Sequence, residues 1–135
     1  MGTVVVGYVP KPEGEAALSA GIKEAKLRGS KLVVVNSHRG GQEFDGSKAR
    51  AAEDDLAGIQ ATLQESGVEH DIRQLVRGFE PAEDLISIAE ANNAELLVIG
   101  LRRRSPVGKL LMGSAAQRIL LDVECPILAV KAPPA

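Results

Sequence analysis

Arg102, Arg103, Arg104 and Lys109 stand between Gly100 and Gly113 in the segment "GLRRRSPVGKLLMGSAAQRI", residues 100–119. Arginine forks suit the oxygens of a phosphate, and glycine lets a main chain approach a ligand where a side chain would block it. Gly113-Ser114 also reads as the mouth of a helix. There the amides of Ser114 and Ala115 would be free, the dipole favours negative charge, and the Ser114 hydroxyl adds a donor. Phosphate fits all three features. The plainer reading is equally open at this point, with Ser114 an N-cap, Gly113 a turn and the arginines a solvated face. Gly108-Lys109 is followed by Leu110, not Ser or Thr, so the segment is not a P-loop.

No second group of residues forms a catalytic set. His38 and His70 have no carboxylate or nucleophile partner in the local sequence. Glu53-Asp54-Asp55 reads as a solvent-facing helix patch, and Glu43, Asp45 and Asp54 lack metal-loop spacing. Cys125 is the single cysteine, which excludes an internal disulfide and a zinc cage. A net charge of −2, with no Trp, one Tyr and two Phe, argues against a general nucleic-acid binder and leaves few stacking platforms. No apolar run approaches the roughly 20 residues that span a bilayer. The N-terminus lacks a signal-peptide pattern, and Val6 stands where a myristoylation signal after Met1-Gly2 needs Ser or Thr. The expectation is one cytoplasmic domain over residues 1–135 that binds neither membrane nor nucleic acid.

The elements that would position the loop alternate. Val4–Val6, Leu32–Val35, Leu96–Ile99 and Ile127–Val130 are near-continuous apolar runs, as in strands of a parallel sheet covered on both faces. Glu69–Val76 mixes Ile72 and Leu75 with Asp71, Arg73 and Gln74, which suits an exposed edge. Helical stripes fall between them: Leu18, Ile22 and Ala25; Ala52, Leu56, Ile59 and Leu63; Ala82, Leu85, Ile86 and Ala89; Ala116, Ile119 and Leu120. Gly29-Ser30, Gly67 and Asn92-Asn93 end helices, and Glu80-Pro81 starts one. Residues 37–47, "SHRGGQEFDGS", read as a Gly-rich loop. The order β-α-β-α-β-α-β-α-β with right-handed crossovers predicts an α/β fold. It is a three-layer α/β/α sandwich on a five-stranded parallel sheet of order 3-2-1-4-5, flavodoxin- or Rossmann-like. Ligands of such sheets bind outside the strand carboxyl ends at the switch point, between strands 1 and 4. Strand 4 ends where the basic loop begins.

"GFEPAEDLISIAEANNAELLVIG", the loop, and "GSAAQRILLDVECPILAV" together resemble the universal stress protein family along nearly the whole chain. The resemblance implies the adenine-nucleotide α-hydrolase-like version of the fold. Nucleotide-binding members carry Gly, two residues, Gly, nine residues, Gly, then Ser or Thr. Gly100, Gly113 and Ser114 keep those places, and Arg103 replaces the middle glycine. The family's ribose-binding Asp after strand 1 corresponds to Val9, and its adenine-contacting backbone after strand 2 corresponds to Ser37. The resemblance thus implies a nucleotide site at Val9, Ser37, Gly100, Arg102, Arg103, Gly113, Ser114 and Ala115. The ligand would be ATP or AMP, with Mg2+ as an accompanying ion, held more weakly because Val9 offers no carboxylate.

"PILAV", residues 126–130, is apolar on both faces yet falls at a sheet edge, which invites pairing with a second copy through Ile127, Leu128, Ala129 and Val130. The resemblance implies the same homodimer. The leading expectation is a non-enzymatic regulatory homodimer that binds adenine nucleotide, a slow ATP hydrolysis staying open. The alternative is a nucleotide-free dimeric interaction module in which the pocket is vestigial. A flavin enzyme on the same scaffold is disfavoured, because Tyr8 alone is left to stack on a ring.

Overall fold

The computed structural model describes residues 2–9, 11–39, 46–77, 81–101 and 114–132. The chain runs β1 (Thr3–Tyr8), α1 (Pro12–Arg28), β2 (Lys31–Arg39), α2 (Gly46–Ser66), β3 (His70–Arg77), α3 (Pro81–Ala91), β4 (Leu96–Leu101), α4 (Ser114–Asp122) and β5 (Ile127–Lys131). The strands form one parallel sheet in the order β3-β2-β1-β4-β5, as the alternation of apolar runs and stripes predicts.

Strand periodicity explains the two cores. Successive side chains leave opposite faces of a strand, so a run that is apolar at every position must be covered twice. Val4, Val6, Leu32, Val34 and Val98 pack under α1 and α2 with Leu18, Ile59 and Leu63. Val5, Val33, Val35, Leu97 and Ile99 pack under α3 and α4 with Leu85 and Ile119. The helix stops are local. Gly29 turns the chain at φ 64°, and Ser30 N–H then donates to the Ala25 carbonyl at 2.9 Å. Gly67 at φ 74° and Asn93 at φ 53° do the same work after α2 and α3. Among the described residues no helix is long and apolar enough to cross a membrane.

Two expectations need correction. Residues 37–39 are not loop: β2 continues through Ser37, His38 and Arg39, which pair with Leu75, Val76 and Arg77 of β3. A ladder is made by main-chain groups, so a partner strand of matching length extends it whatever the side chains are. At the other end of that stretch Gly46 and Ser47 already belong to α2; residues 40–45 lie outside the described residues. Leu120, assigned to a buried stripe, is instead 39% exposed, and its neighbour Leu121 is 83% exposed. Ile119 and Ala116 take the core positions of α4, which turns Leu120 outward; on its surface Arg118 reaches Glu83 of α3 at 2.8 Å.

Leu63 is fully enclosed in the core beneath α2. Leu63→Ala should therefore cost about 2–5 kcal/mol in urea unfolding, whereas Leu121→Ala should change stability by less than ~0.5 kcal/mol.

Candidate functional site

The sheet opens at one place. β1 pairs with β2 as far as Tyr8–Asn36, and β4 pairs with β5 as far as Leu101–Lys131. Between β1 and β4 the registered pairs stop at Val6–Val98. The last residues of β1 and β4 therefore diverge at their carboxyl ends, and this is the switch point that the strand order predicts.

The first turn of α1 closes the floor of that gap. A Cβ on Gly100 would fall against the Glu13 carbonyl, and one on Gly14 would fall against the Val9 carbonyl. Neither position can carry a side chain while α1 stays seated between the strands. At Gly100 the missing side chain lets the main chain of α1 come close. Pro12 starts the helix and needs no N–H partner there. Glu13 and Glu15 follow in the first turn, where the helix dipole favours acids.

The side chains around the gap differ in how they are satisfied. Tyr8, 4% exposed, donates from its hydroxyl to Glu15 Oε1 at 2.7 Å. Asn36, the last residue of β2 registered with β1 and opposite Tyr8, is fully buried and donates from Nδ2 to Gln74 Oε1 at 3.1 Å. Its Oδ1 has no hydrogen-bond partner among the described residues. Glu13 is 9% exposed, and its carboxylate makes no hydrogen bond or ion pair among the described residues. Val9 follows β1 directly and is 36% exposed.

On the opposite face α4 begins at Ser114, on the carboxyl side of β4. The first amides of any α-helix have no intrahelical acceptor, and this first turn holds no acidic residue. The two helix starts therefore differ in charge: the first turn of α1 carries two acids and that of α4 carries none.

Of the residues expected at the site, the structure brings Val9 and Gly100 to the gap and sets the main chain of Ser114 and Ala115 at the start of α4. Ser37 lies in β2, one residue beyond Asn36. Arg102, Arg103 and Gly113 lie outside the described residues. Sequence reasoning passes over Glu13 and Asn36. A first-turn acid after proline is an ordinary complement to a helix dipole, and only burial distinguishes this one. Asn36 ends an apolar run, and its one legible signal is a polar side chain on a face otherwise filled by Leu32 and Val34.

Other candidates fall away from the gap. A cleft of about 200 Å³ lined by Glu90, Asn93, Val123, Glu124 and Cys125 lies at the other end of the sheet, where α3 and α4 finish and β5 begins. Burial pushes the Cys125 thiol above its ordinary pKa, which disfavours the thiolate. His70 makes a 2.8 Å hydrogen bond with the Val68 carbonyl through its ring nitrogen. Among the described residues no three His, Cys, Asp or Glu side chains gather as metal ligands.

Sequence comparison decides the family. The model of the Universal stress protein family matches residues 1–131. The chain belongs to the universal stress protein family. A universal stress protein of Mycolicibacterium smegmatis is 48% identical over 128 residues, covering 95% of this chain and 96% of the relative. Among solved structures, the universal stress protein from Archaeoglobus fulgidus superposes with a TM-score of 0.83 at 33% identity, over 97% of this chain and 99% of that one. A universal stress protein from Archaeoglobus fulgidus solved in complex with dAMP has a TM-score of 0.77 at 28% identity, over 97% and 98% of the two chains. The resemblance first read from "LLVIG" and "CPILAV" thus extends to the whole fold.

The role of Gly100 can be measured. Gly100→Ala should push the first turn of α1 off β4 and lower stability by about 1–3 kcal/mol in thermal or urea unfolding, as overpacking does. An unchanged midpoint would mean that α1 does not need the bare main chain.

Proposed function

We propose that this universal stress protein is a non-enzymatic regulatory homodimer, cytoplasmic, with residues 1–135 acting as one domain. It binds an adenine nucleotide, ATP or AMP, where β1 and β4 diverge. The observation that carries this reading is the end of the β1–β4 ladder at Val6–Val98 while the flanking ladders run on. It is supported by charge: α4 starts after β4 with no acid in its first turn, whereas the first turn of α1 holds two. A nucleotide has one anionic end and one end rich in hydroxyl and base donors, and it matches that asymmetry. The dAMP complex of the Archaeoglobus fulgidus protein, alike in fold and 28% identical, supports the same ligand class.

In this reading Gly113, Ser114 and Ala115 receive the phosphates with Arg102 and Arg103, Ser37 offers main chain to the base, and Mg2+ arrives bound to phosphate. The ligand acts by shifting the order of the loops around residues 38–46 and 101–112, which a partner protein reads. Titration calorimetry with ATP tests it. Wild type should give saturable heat, and Gly113→Val should lose binding by at least ~tenfold while keeping its far-UV circular dichroism. No heat from wild type at millimolar ATP would favour the nucleotide-free interaction module.

For the dimer, β5 presents an unpaired edge with Ala129 exposed and Leu128 half-buried against the α1 core. Substituting Leu128 would disturb the fold as well as an interface, so Ala129 is the cleaner probe. Ala129→Asp sets like charges close together across a two-fold strand pair, and it should convert the dimer to monomer in sedimentation velocity with the melting temperature of the monomer fold retained.

A further inference from the structure

We propose that Leu120 and Leu121 of α4 meet the same helix of a second copy of this chain. The inference rests on the homodimer reading above, and it adds to strand pairing a helix-to-helix contact that strand pairing does not itself require.

α4 has nine residues and joins β4 to the edge strand β5. Ile119 and Ala116 share a core with Leu97 and Ile99 of β4 and Ile127 of β5, so the helix covers that outer pair of strands. Successive residues of an α-helix are about 100° apart, which sets Arg118 and Leu120 on opposite flanks of Ile119. Arg118 reaches Glu83 of α3 at 2.8 Å, and α3 lies inward, against β1 and β2. The flank that carries Leu120 is therefore the outward one, above the free edge of β5. Leu120 is 39% exposed, and Leu121, turned further from the core, is 83% exposed. Ala129 of β5 is exposed on the same side of the sheet, since Leu128 and Val130 alternate with it and pack on the α1 side. Two leucines and an alanine thus form one apolar ledge along the edge. Leu27 of α1 is also exposed, but it stands singly among Lys23, Lys26 and Arg28 and needs no partner.

A second copy fits the ledge by symmetry and by size. A two-fold axis through the sheet, between two antiparallel β5 strands, keeps α4 of both copies on one side of the joined sheet. Each helix covers an outer strand pair, so the two axes stand roughly two strand spacings apart, about 10 Å, which is the separation at which helices pack. Leucines from both copies then fill the seam. Strand pairing alone is too small an interface. β5 has five residues. That is about 17 Å of edge, well short of the roughly 800 Å² that each partner buries in a stable interface.

Sedimentation velocity on the full chain over a concentration series tests this, with far-UV circular dichroism to follow the fold. Wild type should dimerise. Leu120→Asp should weaken the dimer by at least ~tenfold and Leu121→Asp by about threefold or more, while Leu27→Asp should leave it unchanged. If Leu120→Asp does not fold, Leu120→Ala keeps the helix propensity and should weaken the dimer in the same direction. A dimer that Ala129→Asp breaks but that no folded variant at Leu120 or Leu121 weakens overturns the inference and leaves the homodimer standing. Equal weakening by Leu27→Asp also overturns it. A wild type that stays monomeric at every concentration overturns both.

Discussion

The seating of α1 between β1 and β4 is the constraint on which the rest of this structure depends. The first turn of the helix sinks until the Glu13 carbonyl lies over Gly100 and the Val9 carbonyl lies beneath Gly14. Main chain meets main chain at both places, so any Cβ would lift the helix. That contact coincides with the end of the β1–β4 ladder at Val6–Val98 and sets the floor of the gap. It also carries two carboxylates to the gap's rim. One close approach thereby governs the packing of the α1 layer, the opening of the sheet and the sign of the local field.

Electrostatic asymmetry is what such an opening can use. Both helices start at the carboxyl ends of their preceding strands, so both turn positive dipole ends toward the gap. Glu13 and Glu15 counter one of them, and no acid counters the other. In the proposed function this asymmetry of charge orients the two ends of a nucleotide. In the proposed function the arginines of the loop strengthen that polarity without creating it.

Strand order, helix stops and the two-sided burial of the sheet were legible in the sequence, because each is fixed locally. Apolar runs of period-two strands, amphipathic stripes and turn residues such as Gly29, Gly67 and Asn93 act within a few residues of themselves. The length of β2 was not legible, since its last three residues are held by β3 and not by their own types. Leu120 was misplaced because the sheet and α3 decide which face of a short helix packs, and they take Ile119 and Ala116. The candidate site divides along the same line. Gly100 and Ser114 could be named from spacing alone, but not that the main chain of α1 comes close at Gly100, nor that Glu13 is buried. Residue types dictate what a segment can form and what chemistry it can offer. Which of those offers are spent internally depends on contacts between distant segments, and only the folded chain decides them.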